Sequence, residues 1–365
     1  MINFDNYGPE KVIEVYNAKV GMHGFLVVDN TALGPAKGGI RMTATVSAEE
    51  VSRLARAMTW KCSLAGLPFG GGKSGIILPK GTDNKKKAEL IIAFAKAIKN
   101  LCPSLYIAGP DISTTEVEMG IFAKENGLKS VTGKPKRMKG IPHELGSTGL
   151  GVSHATLVAL SHMKRNVKGT TVAIEGFGNV GWFVAKFLSQ WGARLVAVSD
   201  SKGVIYNKSG LDFKKLVKVK KEKGTVTEYG SGSVLPTQDI LKVDADILVT
   251  AAIPDLIKIQ DVNNMKFKLI VEGSNIPTTP DVEDALFKKN VLVIPDFVAN
   301  AGGVISSYVE YINGTVQKMF RVVEEKITKN TSLVLKEADR LCIKPRDAAF
   351  NIAKSRVMKK CKTCL

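Results

Sequence analysis

The sequence predicts an α/β fold in two domains, and three observations carry that prediction. The first is size: 365 residues, 44% of them apolar, exceed the roughly 250–300 residues at which a single hydrophobic core stops growing. The second is a change of pattern. In the first part of the chain, strand-like runs flank long amphipathic helices, whereas later short Val- and Ile-rich strands alternate with helices, as a parallel, doubly wound sheet requires. The third is the stretch from Pro135 to Gly151, rich in Gly and Pro, which reads as a boundary. We therefore expect an N-terminal α/β domain over 1–147, completed by a C-terminal helix at about 326–365, and a doubly wound domain over 148–325.

Taken in order, Gly24 to Asp29 reads as a strand, and Ala48 to Ala65 as a helix. Ser47-Ala-Glu-Glu50 is a capping box for that helix, and Val51, Leu54, Ala55, Met58 and Cys62 form one apolar stripe, with Lys61 beside its end. Lys73 to Leu78 is a second strand, Lys85 to Leu101 a second helix, and Leu105 to Asp111 a strand ending in a Gly-Pro turn. Beyond the boundary, strands are expected at Thr171–Glu175, Arg194–Ser199, Ala245–Thr250, Leu269–Glu272 and Val291–Ile294, with a helix from Trp182 to Trp191. The region from Glu324 to Lys360 reads as helical and charged, and Arg346 to Met358 carries an amphipathic stripe.

Composition narrows the function classes. The N-terminus, Met1-Ile2-Asn3-Phe4-Asp5, has no basic region followed by an apolar stretch. No run approaches the ~18 apolar residues of a membrane span, so a cytoplasmic chain is expected. The five cysteines are scattered, and Cys361-Lys-Thr-Cys364, a lone CxxC at the end of the chain, reads as a frayed tail rather than a zinc or redox site. The net charge of +18 raises nucleic acid as a partner. The lysines are spread along the chain with little aromatic interleaving, which suits a solvated surface that attracts small anions. His23, His143, His154 and His162 show no metal spacing, and no metal is expected.

Gly66-Leu-Pro-Phe-Gly-Gly-Gly-Lys-Ser-Gly75 superficially matches a phosphate-binding P-loop. That pattern needs a glycine five positions before the Gly-Lys pair and a helix directly after it. Leu67 occupies the first place, and a strand follows, so the lysine needs another job. Lys61 and Lys73 both stand in glycine- and apolar-rich surroundings. One buried cation can bind a carboxylate, and a second, crowded by the first, has its pKa lowered and becomes a usable base. On the residues alone, two surface lysines at the ends of a helix and a loop explain the pattern as well.

Gly176-Phe177-Gly178-Asn179-Val180-Gly181 directly follows a strand, opens a helix, and is followed by a second strand ending at Asp200. That order is the dinucleotide-binding unit of a Rossmann-like domain. Its glycines permit the tight turn, the close approach of pyrophosphate and the close packing of helix on strand. Asp200 placed against a ribose 2′-hydroxyl favours NAD, while Ser201 and Lys202 could receive the 2′-phosphate of NADP. NAD is the leaning. The alternative is a structural glycine-rich turn with no ligand.

The chain also resembles the glutamate/leucine/phenylalanine/valine dehydrogenase family. The resemblance runs through Leu33-Gly-Pro-Ala-Lys-Gly-Gly-Ile-Arg41, Met58 to Gly75, Ala108-Gly-Pro-Asp111, Thr148-Gly-Leu-Gly151, the dinucleotide unit, Glu272-Gly-Ser-Asn275 and Asp296-Phe-Val-Ala-Asn-Ala-Gly-Gly-Val304. It implies that Lys73 is the catalytic base, Lys61 holds the substrate α-carboxylate and Asp111 handles the amino-group proton. It places Lys37 and Ser307 on a side-chain carboxylate, Asn300 beside the substrate, and Thr148, Ala251 and Asn275 on the cofactor. The implied reaction is reversible oxidative deamination of an L-amino acid in a cleft that closes against water, performed by a homo-oligomer, with a hexamer the best guess. Lys37 and Ser307 choose glutamate, with 2-oxoglutarate and ammonia as products. The rivals are a leucine, valine or phenylalanine dehydrogenase and, from another class, a basic nucleotide- or nucleic-acid-binding protein without the chemistry.

Overall fold

The computed structural model describes residues 2–362 and 364. It divides into two compact units, one built from residues up to Leu145 with Val304–Val322 and Phe350 onward, the other from Gly146–Gly303 with Val323–Ala349.

The first unit is built on a five-stranded mixed sheet. Its strands β1 (Lys11–Asn17), β2 (Met22–Asn30), β3 (Ala36–Thr43), β4 (Gly70–Ile77) and β5 (Tyr106–Pro110) lie in the order β1-β2-β4-β3-β5. β2 is antiparallel to β1 and β4, whereas β3 is parallel to β4 and β5. Successive side chains of a strand point to opposite faces, and β2 follows that rule. Phe25 and Val27 pack with Val51 and Ala55 of α1 (Ala48–Leu64). Met22, Leu26 and Val28 pack with Leu90 and Phe94 of α2 (Asn84–Ala97) and with Met119 and Phe122 of α3 (Glu116–Asn126). α1 therefore covers one face and α2 with α3 the other. Ser47 starts α1 by accepting from the Glu50 N–H at 3.2 Å, which satisfies one of the helix's free donors.

β4 starts three residues earlier than the sequence suggests and takes Gly70, Gly71 and Gly72 into the strand. Glycine has low strand propensity, but here ladders with β2 and β3 on both sides hold it. A Cβ on Gly71 would lie 2.0 Å from Thr59 Oγ1 and 2.5 Å from the Ala55 carbonyl oxygen. The missing side chain is what lets α1 lie directly on β4.

The second unit carries a seven-stranded sheet of β6 (Thr171–Glu175), β7 (Arg194–Asp200), β8 (Gly203–Tyr206), β9 (Ser233–Leu235), β10 (Ile247–Thr250), β11 (Leu269–Glu272) and β12 (Leu292–Ile294). Their order is β12-β11-β10-β6-β7-β8-β9. The run from β12 to β7 is parallel, and β8 and β9 extend it as antiparallel strands. The chain leaves β6 to one side for β7 and returns on the other for β10, so a switch point lies beside β6. The helices of this unit are α4 (Ser147–His162), α5 (Asn179–Gln190), α6 (Phe213–Lys223), α7 (Pro280–Lys288) and α8 (Asp296–Ala299).

The C-terminal region departs from expectation. In place of one helix over 326–365 there are α10 (Val316–Leu341) and α11 (Pro345–Met358), after α9 (Gly302–Tyr311). Cys342 at φ 54° and Pro345 separate them, because a left-handed residue and a proline both end a helix. Val323–Ala349 belongs to the second unit, and only Phe350 onward returns to the first. The CxxC is not frayed: Cys361 and Cys364 form a disulfide, and the Asn30 side-chain amide donates to both sulfurs. Among the described residues, no helix is long and apolar enough to cross a membrane.

Candidate active site

In the first unit three adjacent strands bring four of the charged groups together. Lys37 on β3 stands opposite Gly71 on β4 and Ile107 on β5. Lys73 lies two residues beyond Gly71, on the same face of β4, and Asp111 follows the end of β5. Arg41 is four residues beyond Lys37 on β3. Lys61 comes from the last turn of α1, the helix that covers this face, so the side chains converge under one roof.

Burial sets their chemistry. Lys37 is 4% exposed, and its ammonium donates to the Ala108 carbonyl at 2.9 Å. Burial pushes its pKa down to about 8, only partly opposed by Cys62 and Glu310. Lys73 is 8% exposed and falls further, to about 7, first through burial and then through the positive charges of Arg41, Lys61 and Lys37. An amine with that pKa is substantially neutral near pH 7 and can accept a proton. Its Nζ contacts Asp111 Oδ2. The other carboxylate oxygen, Oδ1, accepts from the Ile112 N–H at 2.6 Å and from Arg41 Nη2 at 3.3 Å. Arg41 Nη1 in turn donates to Glu50 Oε1 at 2.5 Å.

Ser307 is buried on α9. One turn further along, Glu310 fastens that helix. Its carboxylate accepts from Lys134 Nζ at 2.5 Å and from the N–H groups of Gly133, Lys134 and Ile141. Among the described residues no hydrogen bond joins Ser307 to Lys37.

The second unit gathers the remaining candidates at the carboxyl ends of its parallel strands, where ligands of doubly wound sheets bind. Gly176 follows β6 at φ +91°, and Phe177 is buried behind it. Gly178 caps α5, whose first residues are Asn179, Val180 and Gly181. A Cβ on Gly178 would meet nothing within 4 Å, whereas one on Gly181 would lie 1.9 Å from the Gly176 carbonyl oxygen. The first N–H groups of α5 thus open onto free space at the positive end of the helix, and this loop fits a dinucleotide pyrophosphate. Ala251 follows β10 and donates its N–H to the Glu175 carbonyl oxygen at 2.7 Å. Asn275 follows β11 and accepts at Oδ1 from the Asn300 amide at 3.0 Å. Thr148 stands in the first turn of α4.

Asp200 ends β7, and Ser201 is exposed in the turn after it. The Asp200 carboxylate is already engaged: Lys220 Nζ and the Val226 N–H donate to Oδ2 at 2.7 and 2.9 Å, and the Lys202 N–H and Thr225 hydroxyl to Oδ1 at 2.9 and 3.2 Å. Four donors leave it little capacity for a ribose hydroxyl. Sequence reasoning missed Lys220, whose only signal was its place in the lysine-rich run after Lys214. It also missed the Arg41–Glu50 pair. Arg41 was legible as the end of a motif and Glu50 only as a capping residue.

Comparison with known proteins then places this arrangement among relatives. The family model described as Glutamate/Leucine/Phenylalanine/Valine dehydrogenase matches residues 140–363, and that for the Glu/Leu/Phe/Val dehydrogenase dimerisation domain matches 9–127. The chain is 41% identical over 350 residues to a glutamate dehydrogenase of Aeropyrum pernix, covering 90% of this chain and 84% of the relative. It is 39% identical over 321 residues to an NADP-specific glutamate dehydrogenase of Saccharolobus shibatae, covering 84% and 76%. Among solved structures, a hetero-hexameric glutamate dehydrogenase of Thermus thermophilus with leucine bound superimposes with a TM-score of 0.84 at 25% identity. That match covers 97% of this chain and 89% of the other.

Proposed function

This chain belongs to the glutamate/leucine/phenylalanine/valine dehydrogenase family, and from that premise we propose that it performs the reversible oxidative deamination of L-glutamate. Lys37 carries the choice of substrate: it is 4% exposed and its one hydrogen bond among the described contacts goes to Ala108. Two N–H donors of a buried ammonium remain for a ligand. A γ-carboxylate completes them, whereas an alkyl side chain leaves them unpaired, so the pocket rejects leucine, valine and phenylalanine by desolvation.

In this reading Lys61 pairs with the α-carboxylate, Lys37 and Ser307 hold the γ-carboxylate, and Asn300 borders the substrate. NAD or NADP supplies the hydride acceptor. Once the α-hydrogen has left as hydride, the substrate is an imine. Neutral Lys73 takes a proton from water as the water oxygen bonds to the imine carbon. Asp111, in contact with Lys73, relays that proton to the nitrogen; the carbon–nitrogen bond then breaks as the adduct's hydroxyl proton returns to Lys73, and ammonia and 2-oxoglutarate remain. Burial and contact support two of these roles: Lys73 is the lysine whose pKa falls to about 7, and Asp111 is the carboxylate in contact with it.

Thr148, Gly176, Phe177, Gly178, Asn179, Val180, Gly181, Ala251 and Asn275 serve the dinucleotide. Asp200 is the residue on which the leaning to NAD rests, and its engagement by Lys220, beside Ser201, weighs towards a 2′-phosphate and NADP. The active form is a homo-oligomer, a hexamer, working in the cytoplasm. The test is a panel of L-glutamate, L-leucine, L-valine and L-phenylalanine run with NAD and with NADP. Formation of reduced cofactor with glutamate and not with the apolar amino acids is expected. Turnover of leucine at the glutamate rate, or no turnover of any amino acid, refutes the reading.

A further inference from the structure

The contact between Lys73 and Asp111 poses a problem that the roles above do not solve. A carboxylate touching an ammonium stabilises the charged amine and raises its pKa, which would take the base out of use at neutral pH. Something must hold Asp111 without letting its charge keep the proton on Lys73.

We infer that Arg41, braced by Glu50, is a positioning residue for the reaction: it holds Asp111 by Oδ1 and turns Oδ2 towards Lys73. The inference rests on the functional reading above and deepens it. Its geometry is a chain of charges across three elements. Glu50, in the first turn of α1, accepts from Arg41 Nη1 at 2.5 Å. Arg41, on β3, reaches Asp111 Oδ1 with Nη2 at 3.3 Å, and Lys73, on β4, meets Oδ2. The Ile112 N–H supports Oδ1 from below at 2.6 Å. A planar guanidinium holds two carboxylates in fixed directions, whereas a lysine ammonium is a point charge on a flexible stem. Arg41 is half-buried, at 17% side-chain exposure, so its charge is screened less than a surface charge.

The groups that face Lys73 from the packed elements are Lys37 and Arg41 on β3, Glu50 and Lys61 on α1, and Asp111 after β5. Arg41 is the nearest in influence of the cations that favour the neutral amine, and Glu50 opposes it. Arg41 thus works twice. It shares the charge of Asp111, so that the carboxylate pulls less on Lys73, and its own charge disfavours a second cation beside it.

The test is the pH dependence of kcat and KM for glutamate deamination in the purified full-length enzyme, with Arg41→Met, Arg41→Lys and Glu50→Gln. Neutral Lys73 is required, so the rate rises with pH through its pKa. Arg41→Met is expected to move that rising limb up by about half a unit or more and to cut kcat at pH 7 by roughly tenfold or more, through misplacement of Asp111. KM for glutamate should stay within about twofold, since Arg41 acts through Asp111 rather than on the substrate. Arg41→Lys should restore the limb while leaving kcat lowered, and Glu50→Gln should move the limb down. If Arg41→Met does not fold, the other two variants still carry opposite expectations. Limbs unchanged in Arg41→Met or, failing that, in Glu50→Gln overturn the inference. A rise in KM with kcat and limb unchanged also overturns it, by making Arg41 a substrate ligand. Absence of turnover in the unsubstituted enzyme is a different outcome, which removes the functional reading itself.

Discussion

Replacing Lys37 by leucine should make the protein more stable and a worse enzyme at once. Burial lowers the Lys37 pKa from the ordinary 10.5 to about 8, and at ~1.36 kcal/mol per pH unit the folded state disfavours the charged amine by about 3 kcal/mol. The sign follows from linkage. The cost is fully present below pH 8, where the buried amine is protonated, and it fades towards pH 10.5, where the unfolded chain also loses the proton. Leucine removes this cost but leaves the Ala108 carbonyl without its donor, worth about 1 kcal/mol. The net gain is then about 2 kcal/mol at pH 6.5, or roughly 4–8 °C in the melting temperature of a domain of this size, and close to zero at pH 10. In activity, losing one member of a buried charge pair costs about 2–5 kcal/mol, or roughly 30- to 5000-fold in kcat/KM for glutamate. Thermal melts of the free protein at pH 6.5 and pH 10, with glutamate kinetics on the same samples, read both effects. A variant that melts lower than the parent by the same amount at both pH values would refute the reasoning, because Lys37 would then be fully paired before substrate arrives.

Two further outcomes separate binding from folding in the second unit. Gly178→Val should keep the melting temperature within about a degree, because a Cβ there meets nothing within 4 Å, and should weaken NADH and NADPH binding, read by fluorescence titration, by about tenfold or more as the side chain fills the pyrophosphate approach. Arg346→Met should cost about 3–5 kcal/mol, since Arg346 bridges the buried carboxylates of Glu272, Glu283 and Asp296 at 2.6, 2.5 and 3.0 Å. Burial already raises Glu272 to about 8 and raises Glu283 as well, so the loss should shrink as pH falls and these two carboxylates protonate. Urea melts at pH 5.5 and 8.5 that show equal losses would contradict this.

The sequence made the second unit more legible than the first, for a physical reason. A parallel strand buried on both faces is a short Val/Ile run, so β6, β7, β10 and β11 stand out. β8 and β9 do not, because they are edge extensions of four and three residues with little apolar pattern. In the first unit β3 and β4 carry glycine where a strand would show branched residues, and their pairing is fixed by neighbours distant in sequence. The site followed the same division. Lysines in apolar surroundings announce themselves because burial is costly for them: Lys61 and Lys73 stood out in that way, Lys37 stood out through the family resemblance, and Lys37 and Lys73 are buried. The partners did not stand out: the Arg41–Glu50–Asp111 chain joins residues up to 70 positions apart, and nothing local marks it. Asp200 shows the converse: its place at the end of β7 was legible, but its carboxylate is taken by Lys220, a partner that only folding supplies.

The stretch Gly70-Gly-Gly-Lys73 ties the two kinds of legibility together. Lys73 owes its low pKa chiefly to burial and only then to neighbouring charge, so whatever buries it sets its chemistry. The cover on that face is α1, which can approach β4 because Gly71 presents no Cβ to Thr59 and Ala55. The same approach brings Glu50 and Lys61, at opposite ends of α1, within electrostatic reach of Lys73. The glycines therefore act on the reaction without meeting the substrate. They fix how closely a helix lies on a strand, and that distance determines how far water and opposing charge can stabilise the protonated amine.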